Sequence, residues 1–132
     1  MKNKDVYNIR NILEKWSNYK NGNVAYAVAK NLELIDTLID TFKRFRVITI
    51  DDYREEKKLI CEKYSDSVVD GRYIINNDVD FNKEMDELDN NFLNITKILN
   101  NDCNIQFYKI SKNDLPNDIS ANDLKDILFM ID

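Results

Sequence analysis

Asp78, Asp80 and Asn82 stand at alternate positions, the spacing with which an EF-hand loop presents its first three oxygen ligands to calcium. The sixth loop position is Lys83, where the calcium loop needs glycine for its turn, and the twelfth is Asp89, shorter than the usual bidentate glutamate. Phe81 and Met85 also fall inside this stretch at helical spacing, so it predicts a helix start rather than a metal loop. Other routes to chemistry are narrow. The chain has no histidine, which removes the usual base near neutral pH and the commonest zinc ligand. Cys61 and Cys103 are isolated, without a CxxC pair, and read as two free thiols in a reducing compartment rather than as a disulfide or zinc site. With glycine only at Gly22 and Gly71, neither GxGxxG nor GxxxxGK[ST] can be built, and GxSxG is absent. No catalytic, cofactor-binding or metal-ligating residue is assigned, and the expectation is a protein that is not an enzyme.

Two groups of residues remain as candidates for binding. Lys43, Arg44, Arg46, Arg54, Lys57 and Lys58 are interleaved with Phe42, Phe45 and Tyr53, a mixture that suits single-stranded nucleic acid or an acidic protein surface. Asp51, Asp52, Glu55 and Glu56 lie among them, which equally describes a solvated helix face. The net charge of −5 opposes the nucleic-acid reading, because phosphate binding draws on clustered positive charge. The second group is Asp70, Gly71, Arg72 and Tyr73, inside VVDGRYII. Asp-Gly between two β-prone runs signals a two-residue hairpin, and an exposed strand edge offers a partner a place to pair. The acidic tail, with Asp114, Asp118, Asp123, Asp126 and Asp132 against Lys125, reads as a soluble end or a surface for a basic partner.

These residues need elements to position them. Val6, Ile9, Leu13 and Trp16 predict an amphipathic helix, widened by Ile12 and Tyr19, that stops at Asn21-Gly22-Asn23. There Gly22 would take the left-handed position and Asn23 would cap the next helix. Val28, Leu32, Ile35, Ile39 and Phe42 then form a heptad seam, with Leu34, Leu38 and Phe45 as a second stripe. Past Arg46 the run Val47–Ile50 is β-branched and lowers helix propensity, so a break or kink is expected there. Thr49 or Asp51 would cap a new helix, whose apolar pattern resumes from Tyr53 through Leu59, Ile60 and Tyr64. After the hairpin, Phe81, Met85, Leu88, Phe92, Ile95 and Leu99 make a second seam, with Asp80 as its cap. Residues 104–111, NIQFYKIS, read as a strand, and the natural partner is the hairpin, since two strands alone are marginal in water. Ser120 would cap a last helix carrying Leu124, Ile127, Leu128 and Ile131.

The resulting expectation is an α+β fold, mainly α, in a single domain over residues 1–132. An antiparallel helical hairpin with heptad seams is joined by a small β-hairpin plus a third antiparallel strand, with flanking N- and C-terminal helices. The stripe at Leu34, Leu38 and Phe45 must be covered by those flanking helices or by a second copy of the chain, a homo-oligomer. Hydrophobic residues at 43% and charged residues at 33% are a globular balance. No apolar run approaches the roughly 20 residues that span a bilayer, and MKNKDVYN lacks a signal-peptide core. The expected location is the cytoplasm of a bacterial host, without membrane association.

NVAYAVAKNLELID, DGRYIINNDVDFNKEMDEL and ISANDLKDILFMID, in that order, resemble a family of small phage and prophage proteins of low-GC Gram-positive bacteria. The resemblance covers most of the chain and rests on structural motifs, and it implies a viral setting and an accessory role. It also implies an uninterrupted helix where this chain has Arg46–Ile50. The function expected is non-enzymatic: an accessory protein that binds another protein, either as a virion or assembly factor or as an antagonist of a host protein such as a defence enzyme. The alternative is a nucleic-acid-binding regulator using residues 43–58.

Overall fold

Asn21 decides where the first two helices meet. In a computed structural model that describes all 132 residues, α1 spans Val6–Trp16 and α2 spans Gly22–Phe42. The Asn21 side-chain oxygen accepts the N–H groups of Asn23 at 3.0 Å and Val24 at 3.3 Å, the cap expected of Asn23. Gly22 is therefore the first residue of α2 and not the left-handed end of α1, which closes six residues earlier at Trp16.

The expected discontinuity after Arg46 is a full break. α2 ends at Phe42 and α3 runs Ile50–Tyr64. Thr49 caps α3: its hydroxyl accepts the Asp52 N–H at 3.1 Å, and the Asp52 carboxylate accepts the Thr49 N–H at 3.0 Å. Next come β1 (Ser67–Val69) and β2 (Arg72–Ile74), antiparallel, with Val68 opposite Tyr73. Asp70 and Gly71 have φ of 51° and 75°, the two positive values that a type I′ turn requires. α4 spans Asp78–Asn100 and α5 spans Ala121–Ile127, capped by Ser120 as its spacing predicts. Five α-helices and one two-stranded sheet make a mainly α member of the α+β class. No helix is long and apolar enough to cross a membrane.

The chain divides into two compact units, Met1–Thr41 with Asn101–Asp132, and Phe42–Asn100. In the first, α1 buries Val6, Ile9, Ile12 and Leu13, while α2 buries Val24, Val28, Ile35 and Ile39. Arg10 of α1 reaches Asp36 of α2 at 2.7 Å. The returning chain is pinned beside the N-terminus, where Cys103 donates its N–H to Met1 at 2.9 Å and Lys2 pairs with Asp102 at 2.7 Å.

Residues 104–111 are not a third strand of the hairpin sheet, which has two strands only. The backbones of Tyr108 and Ile110 find partners elsewhere. The Asn31 side chain holds both polar groups of Tyr108's backbone, and Ile110 exchanges hydrogen bonds with Met130 (2.8 Å) and Asp132 (3.0 Å). Leu34 and Leu38 are half-buried and line an open groove of about 520 Å³ with Ile105 and Gln106, so a segment outside helix and sheet stands where a flanking helix was expected.

In the second unit the antiparallel helical hairpin is α3 with α4, so α4 is paired with a helix that has no heptad seam of its own. Tyr53 stacks near Phe92 with centroids 5.0 Å apart, and Tyr64 meets Phe81 edge-on at 6.3 Å. Eleven residues forward on α3 match eleven residues back on α4, which fixes the antiparallel register.

Candidate functional site

The two groups of binding residues lie at different places in the second unit. Lys43, Arg44 and Arg46 occupy the connector before α3, and Arg54, Lys57 and Lys58 lie along the helix; all six are exposed. Asp70, Gly71, Arg72 and Tyr73 form the hairpin tip beyond the far end of α3, also exposed. A helix of 15 residues between the connector and the hairpin is roughly 22 Å long. The structure thus keeps the basic connector and the hairpin apart rather than joining them in one surface.

The connector is held by Val47, buried, and by the Asp52 carboxylate, which also accepts the Ile48 N–H at 3.1 Å. Beside it lies a cleft of about 240 Å³ between α3 and α4. Leu59, Ile60 and Leu88 line it together with two ion pairs, Arg46 of the connector with Glu56 of α3 at 2.7 Å, and Lys63 of α3 with Glu84 of α4 at 2.6 Å. On another part of the hairpin, the Tyr53 hydroxyl donates to Asp89 at 2.6 Å above Phe92 and Leu93.

Electrostatics in this unit reinforces ordinary charge states. The hydrogen bond to Glu84 raises the Lys63 pKa, and the same contact lowers that of Glu84. Asp89 raises the Tyr53 phenol, while the N–H groups of Thr49 and then Ile48 lower the Asp52 carboxyl. Each of these shifts moves away from neutral pH, opposite to the poise of a general acid or base. The calcium-like spacing at Asp78, Asp80 and Asn82 is helical from its first ligand position, since α4 begins at Asp78. Its oxygens therefore cannot converge as a loop would bring them.

No family model, curated protein or solved structure matches the chain. The functional reading therefore rests on surface and charge.

Apolar surface is divided unevenly between the units. The unit Phe42–Asn100 holds four of the 16 buried core residues (Phe42, Val47, Leu88 and Ile95) yet eight of the 13 exposed large hydrophobic residues. These eight are Ile50, Leu59, Val68, Val69, Tyr73, Ile74, Val79 and Leu93. α3 buries no residue, and every residue of β1 and β2 is exposed. The sequence pattern did not single out Val79 or Leu93, and it counted Leu59 only within the apolar pattern of its helix. A signal was present in Leu93, an apolar side chain adjacent to Phe92 and off the α4 seam.

Proposed function

We propose that this chain is a phage or prophage accessory protein that acts, without catalysis, by binding another protein through the α3–hairpin–α4 unit. The partner is a virion or assembly component, or a host protein such as a defence enzyme. The observation that carries this reading is the contrast in apolar surface: fewer than half of the residues hold most of the exposed large hydrophobic side chains. Soluble monomers scatter such residues singly, whereas clusters on one element mark interaction surfaces. The viral setting comes from the resemblance in the three sequence blocks alone.

A tagged wild-type chain and a Leu59→Lys/Leu93→Lys variant, each used to capture protein from infected and uninfected host lysate, test this. The expected result is one partner at stoichiometric level with wild type, lost with the variant while its helical circular dichroism is unchanged. Recovery of no partner from either lysate would sink the reading.

Nucleic-acid regulation is the competing reading, favoured by the exposure of Arg44, Arg54, Lys57 and Lys58 on one segment. Against it, Asp51, Asp52 and Glu55 lie between those cations, and Arg46 is paired with Glu56. A gel-shift titration at low salt, where phosphate binding is strongest, separates the two.

A further inference from the structure

The β-hairpin carries four apolar side chains, none of which is buried. Val68 and Val69 are 60% and 53% exposed, Tyr73 and Ile74 37% and 40%. An isolated pair of strands is marginal in water, and few contacts tie this one down. Asp66 donates its N–H to Ile74 at 2.8 Å and accepts from Asn76 at 3.0 Å, and the Tyr73 hydroxyl meets Glu62 of α3 at 3.4 Å.

The two outer edges differ in charge. With a two-residue turn closed by Val69 and Arg72, the next pair, Val68 and Tyr73, turns its N–H and C=O groups outward, one residue on each edge. The β1 edge is flanked by Asp66 and Asp70, whereas residues 72–77 on the β2 side, RYIINN, contain no carboxylate. Antiparallel pairing of β1 with a second β1 about Val68 would set Asp66 opposite Asp70 at both ends, and like charges placed opposite each other destabilise a sheet.

We infer that β2 pairs antiparallel with β2 of a second copy of this chain, about a two-fold axis at Tyr73, to give a four-stranded sheet. In that register each Tyr73 exchanges both backbone hydrogen bonds with its counterpart, and Arg72 stands opposite Ile74 of the second copy. One face then carries the uninterrupted row Val68, Tyr73, Tyr73, Val68, in which the aromatic cross-strand pair lies at the centre. No like charges are opposed. The occupant is a second copy because pairing about this axis sets the lone charge of the edge, Arg72, against Ile74 rather than against its own counterpart, and continues the side-chain row. The footprint is small beside the roughly 1,200–2,000 Å² of stable interfaces, so association is reversible and depends on concentration. This does not rest on the binding of another protein proposed above, and each can fail without the other.

The test uses the full chain. Sedimentation of wild type over a concentration series is expected to move from monomer toward dimer, and Tyr73→Lys, which opposes two charges at the axis, is expected to hold it at monomer. In a Cys61→Ser/Cys103→Ser background, Tyr73→Cys is expected to form a disulfide-linked dimer under mild oxidation, because paired residues of this type lie about 5.5 Å apart, within disulfide reach. Val68→Cys is expected not to. Wild type that stays monomeric across the series would overturn the inference. So would Val68→Cys cross-linking as readily as Tyr73→Cys, or a dimer that survives Tyr73→Lys.

Discussion

The Asn31 side chain pairs with the backbone of Tyr108 as a neighbouring strand would. Its amide donates to the Tyr108 carbonyl at 3.1 Å, and its oxygen accepts the Tyr108 N–H at 2.7 Å. Asn31 is fully buried, the one polar residue in the core. A buried amide demands partners, and the backbone of a residue outside any sheet has them to offer. This contact gives the Tyr108 backbone its partners although residues 104–111 join no sheet with the hairpin.

Replacing Asn31 therefore exposes two unmet needs. Asn31→Leu is expected to cost about 2–4 kcal/mol of unfolding free energy, from two backbone groups left without partners. Asn31→Asp is expected to be at least as damaging, since a carboxylate cannot donate to the Tyr108 carbonyl and would be buried charged. Urea denaturation monitored by circular dichroism reads both; a loss under about half a kcal/mol for either would contradict the role assigned.

The start of α3 carries a pH signature. Hydrogen bonds from the N–H groups of Thr49 and Ile48 lower the Asp52 pKa below its unfolded value. The stabilisation they give is present above that unfolded value, about 3.9, and is lost as pH falls through the folded one. Asp52→Asn is expected to lessen the fall in stability below about pH 4 relative to wild type. Thr49→Ala, which removes the cap hydroxyl, is expected to cost about 1 kcal/mol at neutral pH. Stability curves against pH for the three proteins check both statements.

The second unit has little core to lose. Leu88 and Ile95 are the only buried side chains of α4. Leu88→Ala is expected to cost about 2–5 kcal/mol, and Leu88→Asp more, because a charge would enter the same site. Denaturation of the three chains is the measurement, and an unchanged midpoint for Leu88→Asp would refute the packing of α3 on α4.

At the hairpin, space and backbone geometry separate cleanly. A Cβ added at Gly71 would meet nothing within 4 Å, yet its φ of 75° disfavours a side chain. Gly71→Ala is expected to weaken the turn by about 1–2 kcal/mol. The effect should appear as faster amide exchange at Val69 and Arg72, with the exchange of α1 and α2 amides unaltered.

Features decided within a few residues were legible in the sequence. Asp70-Gly71 specifies its turn because positive φ is a local cost, and Ser120 specifies a cap because a hydroxyl reaches only the next turn, whereas the choice between Thr49 and Asp51 at α3 was open until the structure placed Thr49 there. The break at residues 43–49 takes in the β-branched Val47, Ile48 and Thr49, although α2 ends four residues before Arg46, at Phe42. Three local features were misread: Asn21, chemically like Asn23, is the cap of α2, Gly22 opens α2 instead of closing α1, and Asp80 lies inside α4, which begins at Asp78.

Partner choice between distant segments was settled only in three dimensions. The composition of residues 104–111 pointed to a strand that the structure does not contain, and nothing in it showed that Asn31, 77 positions before Tyr108, would satisfy the Tyr108 backbone. The α4 seam determined which face of that helix turns inward. That α3 supplies its partner, leaving Leu93 and the whole hairpin in solvent, depends on which surfaces meet. Hydrophobic burial is non-directional and favours any apolar face equally. Periodicity therefore marks the faces to be buried, and the path of the chain decides what buries them.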